Sequence, residues 1–310
     1  MQPGGCAEPR RRATLRLHHK RRSRVAPAGS RPVRRDAPGG RHDRTAAGQG
    51  RRGLRRRRRD RRGRGPDLCA EGARVFLAGR TQDRLDAVAR DIAAAGGRAE
   101  TARLDVLDEP AVEAHAAAVA AAAGGIDVVL DAVSVPHDQG TLLGDLSFEE
   151  FWRPVEGFLC GLFLTSRAVA PYLARDRPGV LLTLSEPGAR LVVPGILGHG
   201  VSAAGKETLT RLLAAELAPA GVRVVGLRPH AVLDGPAHGS YTRELFAPAA
   251  AAAGQTVQEL LDDGPLAAGT LRGRLPTVQE VAEAAAFLAS DRAAAMTGTI
   301  VNLTGGAVPD

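Results

Sequence analysis

Gly198–Pro229 reads GHGVSAAGKETLTRLLAAELAPAGVRVVGLRP, a helix followed by a strand. Leu209, Leu212, Leu213 and Leu217 recur at helical spacing, which predicts one face packed on a sheet, with Lys206 a turn from Ser202 on the same side. Pro219, Ala220 and Gly221 stop the helix. Val222, Val224, Val225 and Leu227 then form a short β-branched run that Pro229 ends, the pattern of an interior strand buried on both faces.

Outward from this stretch, apolar runs alternate with helical stripes. A strand is predicted over Arg74–Ala78, followed by the turn Gly79-Arg80-Thr81 and a helical stripe of Leu85, Val88, Ala89 and Ile92 that Gly96-Gly97 closes. A strand over Arg98–Leu104 leads to Asp105, an Ala-rich helix covers 111–123, and Ile126–Leu130 is the next strand, ending at Asp131-Ala132-Val133-Ser134. Ser147-Phe148-Glu149-Glu150 is a capping box that opens a long helix to Leu173. Gly179–Leu184 is a further strand, leading into Ser185-Glu186. Residues 230–274 are rich in Gly, Pro and Ala, and Thr277-Val278-Gln279-Glu280 is a second capping box.

From about Glu71 to Asp310 the chain resembles the short-chain dehydrogenase/reductase family. The likeness rests on phrases that follow one another in order. A helix ending Ala-Glu-Leu leads to a glycine turn, a Val-rich strand and a Pro; Phe287–Asp291, Met296-Thr297-Gly298 and Thr304-Gly305-Gly306 match the family's closing helix, strand and glycines. The resemblance implies a doubly wound Rossmann-type α/β fold with a parallel sheet, one domain over 66–310, and hydride exchange between a nicotinamide cofactor and an alcohol or carbonyl compound.

Site residues carry over position by position. Arg80, after the second strand of the family's sheet, implies NADP(H) rather than NAD(H), because an arginine there accepts a 2′-phosphate. Asp105 falls beside the adenine, its other reading being a cap ahead of the helix that Asp108 begins. Asp131 opens the loop that approaches the nicotinamide ribose, and Pro229 ends the strand at the cofactor's edge. Lys206 keeps the family's lysine, which holds that ribose. The family's tyrosine is replaced by Ser202, its relay asparagine by Phe158, and its second serine after the fifth strand by Glu186, with Ser185 beside it. Ser185, Ser202 and Lys206 are therefore the candidate catalytic residues, and His230, His238 and Tyr241 are candidate contacts in the segment where the family keeps a mobile lid. A small-molecule substrate and homo-oligomers are implied by the same likeness.

A serine hydroxyl ionises far less readily than a phenol and stays closer to its own helix. Proton transfer of this kind contributes about 10²- to 10⁴-fold to rate, so its loss leaves slow catalysis or none. A catalytically silent nucleotide- or partner-binding module is thus a second reading.

Charge is divided unevenly. Residues 1–65 hold 23 Lys+Arg against 4 Asp+Glu, a net +19, and the rest 19 against 30, a net −11. This arm has no aromatic residue and little Leu, Ile or Val, so it cannot bury enough surface to offset the entropy of ordering. Three readings stay open for it. As a polyelectrolyte tail it would bind nucleic acid without sequence preference, the weakest of the functional readings. It also suits a mitochondrial-type presequence. The third reading is a frame error: the family's Gly-Ile-Gly turn would fall on Arg59-Asp60-Arg61, and arginine and aspartate codons read one base later permit Gly-Ile-Gly. On that reading the first strand and its glycine-rich turn are missing from the sequence as written. Gly53–Arg58 cannot replace a central strand, since buried unpaired guanidinium groups cost several kcal/mol each. Weak NADP(H) binding and poor stability of the chain as written are expected. Cys6, Cys69 and Cys160 show neither paired nor metal-ligand spacing, which suits a reducing compartment, and no run reads as a membrane span, so the expected location is the cytoplasm.

Overall fold

A computed structural model describes residues 73–173 and 178–310. The arm at 1–65, its possible frame error and the expected place of the first strand and glycine turn lie outside the described residues.

The chain alternates strand and helix as expected: β1 (Arg74–Gly79), α1 (Gln82–Ala94), β2 (Arg98–Arg103), α2 (Glu109–Ala123), β3 (Val128–Asp131), α3 (Phe148–Val155), α4 (Gly161–Val169), β4 (Val180–Leu184), α5 (Leu197–Leu217) and β5 (Arg223–Pro229). Short helices α6 (Thr242–Ala252), α7 (Val257–Asp263) and α8 (Pro265–Ala268) precede α9 (Val278–Ala289) and β6 (Thr299–Leu303). All strand pairs are parallel, in two sheets ordered β1–β2 and β3–β4–β5–β6.

Strand periodicity builds the layers. In β4 and β5, Leu181 and Val224 point to one side, where α2, α4 and α5 contribute Val112, Ala116, Ala168, Val169 and Ala214. Val180, Leu182, Val225 and Leu227 point to the other, against Ala285 and Leu288 of α9. Both faces are covered, hence the unbroken apolar runs in these strands and the Rossmann-type doubly wound arrangement. β1 and β3 are less buried, and Leu130 is 41% exposed. Among the described residues β1 pairs only with β2 and β3 only with β4, so each presents an unpaired edge. In the expected fold one more parallel strand lies between those two edges.

Two expectations are corrected. The helix expected from Ser147 to Leu173 is broken: its capping box forms as expected, but Pro154 lies inside α3 and a π-helical turn, Glu156–Cys160, separates α3 from α4, which ends at Val169. Pro154 has no N–H to donate, and the wider turn carries Gly157 so close to Val135 that a Cβ there would lie 2.5 Å from a Val135 methyl.

Of the α5 leucines, Leu213 and Leu217 pack against the core beside Leu181 and Val224 as expected, but the fully buried face of the helix is another. Leu212 is 58% exposed, whereas Gly198, His199, Ser202, Ala203, Lys206, Glu207, Thr210 and Ala214 are buried. The helix packs against α3 and the π turn through glycines: a Cβ on Gly198 would lie 2.6 Å from the Phe151 carbonyl oxygen, and one on Gly205 2.9 Å from Leu159. Only small residues permit that approach, and it carries polar side chains inward. Residues 230–275 contain a small core of Leu261, Ala267 and Leu275. Among the described residues no helix is long and apolar enough to cross a membrane.

Candidate active site

The carboxyl ends of parallel strands form one rim, where open α/β sheets bind ligands. Arg80 follows β1, Asp105 follows β2, Asp131 ends β3, Ser185 and Glu186 follow β4, and Pro229 ends β5. All the residues expected at the cofactor or the reaction centre, except those on α5, thus arrive on one side of the sheet by topology alone.

At one end of the rim a cleft of about 280 Å³ is lined by Arg80, Arg103, Leu104, Asp105, Asp108 and Ala111. Asp105 accepts a hydrogen bond from the Leu107 amide at 3.0 Å, and Asp108 caps α2 by accepting from the Ala111 amide at 3.2 Å. Two arginines and two carboxylates therefore share this cleft. Arg103 was not singled out from the sequence; its place at the last residue of β2, opposite Gly79 in the strand register, was the available signal.

The other centre surrounds Lys206. Its ammonium is 1% exposed, lies 3.3 Å from Glu186 Oε1 and sits 4.5 Å from the centre of the Phe158 ring. The π turn between α3 and α4 delivers that ring. Ser202 is fully buried and its hydroxyl donates to the His199 carbonyl oxygen at 2.9 Å. Ser185 donates to Glu207 Oε1 at 3.1 Å, with the Ala203 carbonyl at 3.5 Å. Both serine protons are directed into the protein.

Glu207 belongs to a buried network. Arg228 of β5 donates to it through Nε at 2.6 Å and Nη2 at 3.1 Å, and through Nη1 to Asp310 at 2.6 Å. Ionisable residues within an otherwise apolar strand and helix face were the sequence signal for it.

Above Lys206 three rings meet. His137, from the loop after β3, stacks on His199 with ring centres 4.7 Å apart and planes at 5°. Tyr241 approaches the His137 ring edge-on at 5.7 Å. His137 Nδ1 lies 2.9 Å from the Val135 carbonyl, which places its proton on Nδ1, and the Tyr241 oxygen, 3.3 Å away, shares that donor. Nε2 then accepts from the Gln139 amide at 3.1 Å.

Burial pushes the His137 pKa down, and burial with the charges of His137 and Lys206 lowers that of His199 to about 4. Burial raises the Asp131 carboxyl above the usual range, against the pull of Lys206, and pushes the Tyr241 phenol well above 10. Three buried polar atoms here have no hydrogen-bond partner: Asp131 Oδ2, Glu186 Oε2 and His199 Nδ1. His230 accepts from the Ala231 amide, and His238 is exposed beside Asp234, so of the three lid candidates only Tyr241 reaches this centre.

The family described as enoyl-(acyl carrier protein) reductase matches residues 66–308. The chain is 31% identical over 244 residues to a 3beta-hydroxysteroid dehydrogenase of Eggerthella lenta, covering 76% of this chain and 85% of the relative. It is 30% identical to the L-xylulose reductase of Bos taurus, over 77% and 88% of the two chains. A solved sorbitol-6-phosphate 2-dehydrogenase of Erwinia amylovora superposes with a TM-score of 0.68 at 26% identity, over 78% of this chain and 93% of that one.

The chain belongs to the short-chain dehydrogenase/reductase family. Its relatives are oxidoreductases that act on CH–OH groups, and the family uses NAD(P)(H). In this chain Lys206 is paired with Glu186 and packed against the Phe158 ring, and α5 carries no tyrosine.

Proposed function

We propose that the protein is an NADP(H)-dependent oxidoreductase that interconverts a small alcohol and its carbonyl compound. The observation that carries this reading is Lys206, buried against Glu186 after β4 and near enough to Asp131 at the end of β3 for its charge to act on that carboxyl. Support for the phosphorylated cofactor is the cleft where Arg80 and Arg103 stand with Asp105: two guanidinium groups suit a 2′-phosphate and one carboxylate an adenosine. The described residues fit the cofactor at both ends. Bound there, it would supply hydride transfer. Asp131 Oδ2, buried and unpaired, suits a hydrogen bond from the loop or the ribose. An ammonium has three donors, so Lys206 keeps two for the ribose hydroxyls while it pairs with Glu186. Ser185 or Ser202 would polarise the substrate only after turning from Glu207 and the His199 carbonyl.

That inward direction of both serine protons favours the second reading, a silent nucleotide-binding module. Fluorescence titration with NADPH and NADH, combined with assay of secondary alcohols and ketones, separates the two. Binding with turnover that is lost in Lys206→Ala supports the enzyme, and binding without turnover supports the module. In Arg80→Ala the preference for NADPH over NADH is expected to fall about tenfold or more, as one charged hydrogen bond is removed; an unchanged ratio refutes the assignment of Arg80. Our proposal for residues 1–65 is that they come from a displaced reading frame and that the chain as written binds cofactor weakly. Coding DNA that yields no strand and glycine turn in either other frame, or micromolar NADPH affinity of the unaltered chain, overturns it.

We further propose a cytoplasmic homo-oligomer. Phe148, Trp152 and Phe163 on α3 and α4, and Leu197, Val201 and Leu212 on α5, are exposed apolar side chains on adjoining helices, which suits a second copy.

A further inference from the structure

The reaction centre has acceptors where the proposed chemistry in the reducing direction needs a donor. Glu186 is the second residue after β4, at the carboxyl end of that strand. Its Oε1 is engaged by Lys206 at 3.3 Å, whereas its Oε2 is buried with no partner. A quarter of the side chain remains exposed, so it has a path to solvent. Asp131 Oδ2 and His199 Nδ1 are buried and unpaired in the same neighbourhood: the charge of Lys206 acts on Asp131 and His199, and that of Glu186 on Asp131, His137 and Tyr241. Among the described residues no hydroxyl donates to these atoms: those of Ser185 and Ser202 are spent on Glu207 and the His199 carbonyl, and the Tyr241 oxygen lies against His137 Nδ1.

We infer that Glu186 is a catalytic base, that its unpaired Oε2 accepts the hydroxyl proton of a bound secondary alcohol, and that the site is built for oxidation of that alcohol. This rests on the oxidoreductase reading above. An alcohol brings an O–H donor to Oε2, which no described side chain supplies, while a ketone brings only another acceptor and leaves Oε2 unpaired. In the step itself the alcohol O–H bond breaks and its proton passes to Oε2. An oxidised nicotinamide bound at the rim would take the carbinol hydride with both electrons of the C–H bond, leaving a carbonyl product. Glu186 then releases the proton to water through its exposed side. Lys206, 3.3 Å away, holds the carboxylate in place. The groups that face Glu186 are Lys206 from α5, Asp131 from the end of β3, His137 from the following loop and Tyr241 from the turn before α6.

The test uses the full chain and two variants, Glu186→Gln, which keeps the shape without the base, and Glu186→Asp, which keeps a carboxylate. The first readout needs no cofactor. With ¹³C-carboxyl-labelled glutamate, the Glu186 resonance, assigned by its absence in Glu186→Gln, is followed by NMR as cyclohexanol or cyclohexanone is added. A shift with the alcohol that exceeds the shift with the ketone is expected; no shift, or equal shifts, overturns the proposal. The second is kcat/KM for alcohol oxidation against pH. Glu186→Gln is expected to lower it about 10²-fold or more and to abolish the limb on which rate rises with pH, while Glu186→Asp keeps that limb. Turnover in Glu186→Gln with an unchanged pH limb overturns the base and leaves the oxidoreductase reading standing. NADPH binding without turnover removes that reading instead, and the carboxyl titration still decides whether Glu186 receives an alcohol.

Discussion

Acidification from pH 6.5 to 4 would drive a proton onto a buried imidazole that has no partner for it. His199 is 6% exposed, its Nδ1 makes no hydrogen bond, and its pKa lies at about 4 against an ordinary 6.5. Between those values the unfolded chain binds a proton there and the folded chain does not, so stability must fall as pH falls through that window. Each decade is worth about 1.4 kcal/mol, which sets a ceiling of about 3 kcal/mol on the loss, complete near pH 4. Against a domain stability of about 5–15 kcal/mol this is a large share. The clean comparison is His199→Phe, which keeps a flat ring against His137 and cannot ionise. Urea denaturation of both proteins from pH 7.5 to 3.5 yields two stability curves, and their difference isolates His199, since titration elsewhere is common to both. The wild-type curve is expected to drop below that of the variant progressively under pH 6.5 and to run parallel to it under pH 4. Parallel curves throughout would refute the reasoning, because they would mean that His199 takes up its proton without penalty in the folded state.

Three further outcomes are expected. Arg228→Met leaves the buried Glu207 carboxylate with Ser185 alone and should lower stability by about 3–5 kcal/mol in urea, whereas Glu207→Gln with Arg228→Met should recover most of it; equal losses in the two proteins contradict this. Glu280, whose pKa is held at about 2 by Arg274 chiefly and by the Thr277 amide, contributes stability that is present above pH 4.5 and is lost as pH falls towards 2, so Glu280→Gln should flatten the acid limb of the stability curve. Val201→Glu with Trp152→Glu should shift sedimentation equilibrium from oligomer to monomer; a wild-type monomer at micromolar concentration rules out the proposed interface.

Burial changes the meaning of several residues whose types were plain from the start. Lys206 was singled out from its place in the helix of Gly198–Pro229, and the helix does bury it. Its partners Glu186 and Phe158 were identifiable only as departures from the family's pattern, because nothing local brings a residue after β4 and a residue of the π turn to one ammonium. His137, His199 and Tyr241 are separated by 62 and 42 positions and by three loops, which leaves no periodic signal for their contact. The leucines of α5 illustrate the converse. Leu213 and Leu217 do pack on the core, but Leu212 is exposed, and the glycines that let the helix approach α3 bury its small and polar face more deeply.

The order of apolar runs, turns and capping boxes by itself determined the strand–helix alternation, because each depends on periodicity within a dozen residues, and the parallel sheet followed from the likeness of successive phrases to the family. Which side chains meet at the rim was decided only in three dimensions. Parallel strands gather their carboxyl ends from distant parts of the chain, and the state of a charge there depends on burial and on neighbours that no local spacing specifies.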